Sequence, residues 1–136
     1  MPGIGVTEEL RIRTKRFAIH VIRFSETLPQ TSASRVIERQ MIRSSTSLAA
    51  NYRAACRARS RAEFIAKLGT VVEEADETLF WLDLLSETGI ASQKTLHPLF
   101  REANELLAIF SASRRTAKSK DQKNRNHQIT RSPDSV

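Results

Sequence analysis

Glycine and proline are scarce in this chain, with four of each in 136 residues. Gly3, Gly5, Gly69 and Gly89, together with Pro2, Pro29, Pro98 and Pro133, are read as the edges of regular structure. The stretches between them are long and rich in Ala, Leu, Arg and Glu, which favour helix. They contain no internal repeat and no Gly-rich phosphate loop. A chain of this kind folds into long helices or not at all.

Sorting apolar positions at about 100° per residue gives four amphipathic helices. The first is predicted from Thr7, an N-cap candidate followed by Glu8 and Glu9, to Leu28, with Leu10, Phe17, Val21, Phe24 and Leu28 inward. Pro29 stops it, since the residue before a proline avoids the helical region. The second runs from a cap at Ser32 or Ser34 to about Arg59, with Val36, Ile37, Met41, Leu48, Tyr52 and Ala55 on its core face. Ser60-Arg61-Ala62-Glu63 has the spacing of a capping box and starts a third helix, Arg61 to Thr88. Its inward residues are Phe64, Ile65, Leu68, Val72, Ala75, Leu79 and Leu82, and Gly89 is its C-terminal stop. The fourth spans Ser92 to Ala117, with Pro98 near its first turn and a stripe of Leu96, Leu99, Phe100, Ala103, Leu106, Leu107 and Phe110.

Short connections between such helices define an all-α, antiparallel up-down four-helix bundle. The expected organisation is a flexible N-terminus over 1–6, the bundle over 7–117, and a disordered basic C-terminal tail over 118–136 that lacks any apolar pattern. No run of about 18 uncharged apolar residues is present, so no membrane span is expected. Residues 1–9 lack a basic region leading into an apolar segment, so no secretory signal is expected. The single cysteine, Cys56, excludes an intramolecular disulfide and a cysteine-based zinc cluster. The expected compartment is the cytoplasm.

Charge is segregated along the chain. Residues 1–60 carry 11 basic and 4 acidic side chains, residues 61–110 carry 4 and 9, and residues 111–136 carry 7 and 2, for a net charge of +7. On the second helix Arg35, Arg39, Arg43, Arg53 and Arg57 fall within about 80° of arc opposite the core face. From first to last the row covers about 33 Å at 1.5 Å per residue. Such a row matches a nucleic-acid backbone, and the basic tail adds further phosphate contacts. The competing readings are a solvated basic face, or one paired across a subunit boundary with acidic residues such as Glu73 and Glu77 of a neighbour. No aromatic interleaves with the row, so base stacking is not indicated.

Gln40, Ser44, Ser47 and Asn51 follow i, i+4, i+7, i+11 spacing beside the core stripe. They read as a packing seam that fixes helix register, the alternative being a ligand site. Late in the third helix Phe80, Trp81, Leu84 and Leu85 point away from the core, and Phe80, Trp81 and Leu84 are the candidates for an oligomer interface. Glu73, Glu74, Asp76 and Glu77 form an acidic face without the Glu-x-x-His pattern of a di-iron bundle, so no metal or other cofactor is expected. His20, His97 and His127 have no nucleophile or carboxylate partner in sequence. Cys56, flanked by Arg53, Arg57 and Arg59, reads as a small helix residue. Nothing in these residues indicates an enzyme.

Gln40-Met41-Ile42-Arg43-Ser44-Ser45-Thr46-Ser47-Leu48-Ala49-Ala50-Asn51-Tyr52, followed by Arg59-Ser60-Arg61-Ala62-Glu63-Phe64, resembles a known pattern. It is that of the four-helix-bundle proteins related to the product of the intervening sequence in bacterial large-subunit ribosomal RNA genes. Arg43, Ser47, Leu48, Asn51, Arg59, Ser60, Glu63 and Phe64 match, and the resemblance covers about residues 10 to 112. The chain departs where many members continue Ile-Ala-Glu-Gly after the asparagine, having Tyr52-Arg53-Ala54-Ala55 there. The resemblance implies a homo-oligomer, a pentameric ring as in related members, and no catalysis. A similar fold serves as the accessory protein of diversity-generating retroelements, where it is basic and binds nucleic acid and a reverse transcriptase. The expectation is a homo-oligomer that binds RNA, or DNA, through its basic surface without strong sequence preference. The alternative is a protein scaffold that binds no nucleic acid.

Overall fold

The computed structural model describes residues 4–130. Four helices follow one another, α1 (Ile4–Ser25), α2 (Ser32–Cys56), α3 (Arg61–Glu87) and α4 (Gln93–Thr130), with no strand among the described residues. The connections are short, so each helix returns alongside its predecessor and the architecture is an antiparallel four-helix bundle. The predicted flexible stretch 1–6 falls partly outside the described residues, and residues 4–6 already belong to α1.

Local chemistry sets the boundaries and corrects several of them. Thr7 does not cap α1, because the helix already runs from Ile4 and Thr7 lies within its first turn. After Ser25 the N–H groups of Thr27 and Leu28 close on the carbonyls of Phe24 (2.9 Å) and Ser25 (3.1 Å), which turns the chain ahead of Pro29. Leu28 is therefore outside the helix, yet it is buried in the core. The cap of α2 is Thr31 rather than Ser32 or Ser34, and its hydroxyl accepts from the Ser34 N–H at 3.2 Å. Arg57 and Ala58 donate back to Ala54 and Ala55 at 3.1 Å each, ending α2 at Cys56, three residues before the expected Arg59.

The capping box at α3 is present in shifted form. Ser60 Oγ accepts from the Glu63 N–H at 3.0 Å, while the Glu63 carboxylate takes the N–H of Arg59 at 3.3 Å. Gly89, at φ +72°, ends α3 in the left-handed conformation that glycine adopts without penalty. Ser92 Oγ accepts from the Thr95 N–H at 3.2 Å and starts α4, and Pro98 lies in the second turn. Gly69 is no edge, being in the middle of α3. Arg114 of α4 crosses there, with its guanidinium 3.1 to 3.3 Å from where a Cβ would stand.

The largest departure is the length of α4, which runs to Thr130 and not to Ala117. Lys, Gln and Arg are good helix formers, and an i,i+4 pair of Asp121 with Arg125 (3.1 Å) supports the extension. Ala117 is its last buried residue among those whose burial is described, and residues 118–128 of the continuation are outside the core. Residues 131–136 of the expected tail lie outside the described residues.

The core is apolar and continuous, with Phe17, Val21, Met41, Leu48, Leu68, Leu82, Leu96, Leu106 and Phe110 at 1% exposure or less. Val36, predicted inward, is 55% exposed. In α3 the buried arc is rotated from the predicted stripe. Val71 and Leu85 are fully buried, while Ile65, Val72 and Leu79 are half-buried, because α3 is flanked by α2 on one side and α4 on the other. The α1–α4 seam is the lightest of the four. Arg13 ties it by donating to both oxygens of Glu102 (2.8 and 2.6 Å) and to Glu105 (2.5 Å), hydrogen bonds that hold its guanidinium protonated well above its usual range.

Candidate nucleic-acid interface

Antiparallel packing brings the start of α1, the end of α2, the start of α3 and the far part of α4 to one pole. Residues 4–15, 50–68 and 112–130 together hold fourteen Lys and Arg against four carboxylates, although Arg13 is clasped by Glu102 and Glu105 from outside these segments. The rest of the chain holds eight against eleven. The net positive charge of the protein is thus entirely a property of this pole.

Two grooves carry it. One, of about 600 Å³ between α1 and α2, is lined by Glu8, Arg11, Ile12, Lys15, Ala49, Ala50, Arg53 and Arg57. The other, of about 440 Å³ between α2 and α3, is lined by Ala50, Arg53, Ala54, Arg57, Arg59, Glu63 and Lys67. Arg53 and Arg57 belong to both, since they stand on the exposed ridge of α2 between them. Ala49, Ala50 and Ala54 keep the groove floors shallow. Beyond, Ala117 lies level with Arg59, Ser60 and Arg61 of the α2–α3 turn. From Lys118 the α4 helix therefore projects past that turn for about 20 Å, at 1.5 Å per residue. Lys118, Lys120, Lys123 and Arg125 are exposed along it.

The predicted arginine row does not act as one unit. Arg35 and Arg39 are exposed at the opposite pole, with no ion pair among the described residues. Arg43 is committed within its own chain. Its guanidinium donates to Glu74 at 3.1 Å, pairs with Glu77, and donates through Nε to Gln40 at 3.1 Å. The pairing that one competing reading placed across a subunit boundary, with residues such as Glu73 and Glu77, is for Arg43 made inside the monomer, through Glu74 and Glu77. Only Arg53 and Arg57 of the row join the basic pole. Sequence reading missed Arg11, Lys15, Arg59 and Lys67 because they are far apart in the chain.

The polar seam is self-satisfied. Asn51 Nδ2 donates to the Ser47 carbonyl (2.9 Å) and hydroxyl (3.0 Å). Ser44 alone reaches across, its hydroxyl 2.7 Å from that of Thr78 on α3. The residues of the family-like motif accordingly serve architecture, with Ser47 and Asn51 bonded to each other, Ser60 and Glu63 forming the cap, and Phe64 buried.

Phe80 is 55% exposed and stacks edge-on against Trp81, with ring centroids 4.9 Å apart. Trp81 is half-buried and its Nε1 donates to Glu77 at 3.3 Å, while Leu84 packs partly against the core. Among the described residues no three His, Cys, Asp or Glu side chains are grouped to hold a metal. Burial pushes the Cys56 thiol up, opposite to the effect that its flanking arginines suggest, and burial likewise raises the neighbouring Tyr52 phenol. No helix among the described residues is long and apolar enough to cross a membrane.

These features define a class, an all-α antiparallel bundle whose charge gathers at one end. The chain belongs to the 23S rRNA-intervening sequence protein family, whose model matches residues 9–112. It is similar to the crystal structure of a protein of unknown function from the S23 ribosomal protein family of Bacteroides thetaiotaomicron. The two share 28% identity and a TM-score of 0.74, over 80% of this chain and 97% of that one. No curated protein matches. The basic extension of α4 beyond residue 112 falls outside the family match.

Proposed function

We propose that the protein is a non-enzymatic, cytoplasmic homo-oligomer that holds nucleic acid, RNA above all, by its phosphate backbone at the basic pole. The observation that carries this reading is the gathering of fourteen cations against four carboxylates at one end of an otherwise acidic bundle. Clustered Lys and Arg release condensed counterions when phosphates replace them, which drives binding without sequence readout. The exposed Phe80 beside Trp81 supports self-association on α3, away from the pole, and a five-membered ring is the assembly that the family resemblance suggests.

A scaffold that binds only protein is the second reading, favoured by the commitment of Arg43 to Glu74 and Glu77. Size-exclusion chromatography with light scattering and absorbance at two wavelengths separates the two, run on protein purified without nuclease at low salt. The first reading expects a particle near five chain masses of 15.4 kDa, with excess absorbance at 260 nm that high salt strips. A clean protein spectrum at every salt concentration, with no uptake of added RNA, would refute it. Trp81→Asp should reduce the particle mass, and an unchanged mass removes this face from the interface.

A further inference from the structure

The pole has a chemical gap that narrows its ligand. Proteins that hold single strands without sequence preference stack bases on exposed aromatic rings beside a basic groove. Here the Phe and Tyr rings near the pole are all withdrawn. Tyr52 and Phe110 are 2% and 0% exposed and packed on each other, with centroids 4.7 Å apart, and Phe64 is 5% exposed. Among the described residues the one well-exposed Phe, Tyr or Trp ring, that of Phe80, is on the acidic stretch of α3, away from both grooves.

What the pole offers is cations on rigid supports. Arg53 and Arg57 are one turn apart on the ridge of α2 and are flanked by a basic groove on each side. Helices fix the spacing of these charges, and the floors are alanine, with no ring or amide on which a base could lie. A flexible strand docking there loses its conformational freedom and gains no stacking in return. A duplex is already ordered, keeps its bases stacked inside, and carries about one phosphate charge per 1.7 Å of axis. Its counterion release per contact is also larger, about 0.9 against about 0.7 for a single strand.

Resting on the phosphate-binding reading above, we infer that the basic pole selects double-helical nucleic acid over single strands, gripping the outside of the helix from the Arg53–Arg57 ridge. The selectivity comes from the lack of an exposed Phe, Tyr or Trp ring beside the two grooves and from the preset spacing of the cations.

The test uses the full chain and fluorescein-labelled probes in polarisation titrations at 100 mM salt. The probes are a 16-base-pair RNA duplex, a DNA duplex of the same sequence, and a 16-nucleotide oligo-uridine. The expected result is RNA duplex binding at least tenfold tighter than oligo-uridine, with a log–log salt slope of about −4 for four to five phosphate contacts. Arg53→Glu with Arg57→Glu should weaken duplex binding at least tenfold, while Arg35→Glu with Arg39→Glu at the other pole should change it less than threefold. Both pairs are exposed, and circular dichroism confirms that the variants fold. Oligo-uridine binding as tight as the duplex would overturn this inference and leave phosphate binding standing. Duplex binding undiminished in the Arg53/Arg57 variant would overturn the assignment to this ridge. Binding of no probe at all would overturn the proposed function and this inference with it. The DNA duplex tells whether A-form geometry is selected as well.

Discussion

Ser44 and Thr78 bind α2 to α3 through one hydroxyl pair, and the geometry predicts how that pair behaves on mutation. Both side chains are fully buried, with oxygens 2.7 Å apart. Thr78 Oγ1 is also 2.8 Å from the Glu74 carbonyl, and Ser44 Oγ is 3.3 Å from the Met41 carbonyl. Each hydroxyl has one proton. The short carbonyl contact takes the Thr78 proton to Glu74, so Ser44 donates to Thr78. Thr78→Val keeps the side-chain shape and lets Ser44 turn to Met41, and should cost about 1 kcal/mol for the lost bond. Ser44→Ala leaves the Thr78 proton satisfied and should cost a similar amount, about 1 kcal/mol. The double variant should cost scarcely more than either single one, since the second change removes a group whose partner is already gone. The coupling is then about 1 kcal/mol. Urea unfolding followed by circular dichroism, at one fixed protein concentration, measures all four corners of the cycle. Additive single effects, with a coupling under about 0.3 kcal/mol, would refute the hydrogen bond between the helices.

Two further substitutions test the packing. Gly69→Ala gains about 1 kcal/mol of helix propensity and displaces only the flexible end of Arg114. The Arg114 Nε bond to the Ile65 carbonyl is long, at 3.4 Å. The variant should therefore be more stable by about 0.5 kcal/mol, raising Tm by about 1–2 °C, and a fall in Tm would show that Arg114 cannot yield. Tyr52 and Cys56 bear on alkaline stability, because burial raises both groups in the folded chain. The unfolded chain sheds these protons first, at about 8.5 for Cys and about 10 for Tyr, so the stability is intact below about pH 8.5 and lost as pH rises beyond it. Each group steepens the fall by at most about 1.4 kcal/mol per pH unit, and Tyr52→Phe with Cys56→Ser should flatten a urea-midpoint profile between pH 8 and 10.5.

Helix count, helix order and most of the core were legible in the sequence, because a period of 3.6 residues is a local signal. The α3 cap and the Gly89 stop were legible for the same reason, each being a rule about neighbours in the chain. Val36 failed because periodicity marks an apolar face and does not say whether another helix covers its edge. The end of α4 failed because Lys, Gln and Arg form helix without any apolar stripe. The candidate site was the least legible part. Arg53 and Arg57 were found from one helix face, but Arg11, Lys15, Arg59 and Lys67 join them only through chain reversal. Conversely, Arg43 looked identical to its row and was withdrawn by Glu74 and Glu77, which are more than thirty residues on.

The thin seam between α1 and α4 has a consequence for how the molecule opens. The other three seams are broad, whereas this one is clasped chiefly by Arg13 on Glu102 and Glu105. The cheapest local excursion is therefore the lifting of α1, with the remaining three helices still packed. Amide protons of α1 should exchange before those of α2, α3 and the packed part of α4. Cys56 reports the same event chemically, because its thiol lies near Glu8 and Arg11 of α1. Modification of the half-buried Cys56 thiol should therefore quicken whenever α1 lifts away, and salt that screens the Arg13 clasp should raise that rate well before it unfolds the bundle.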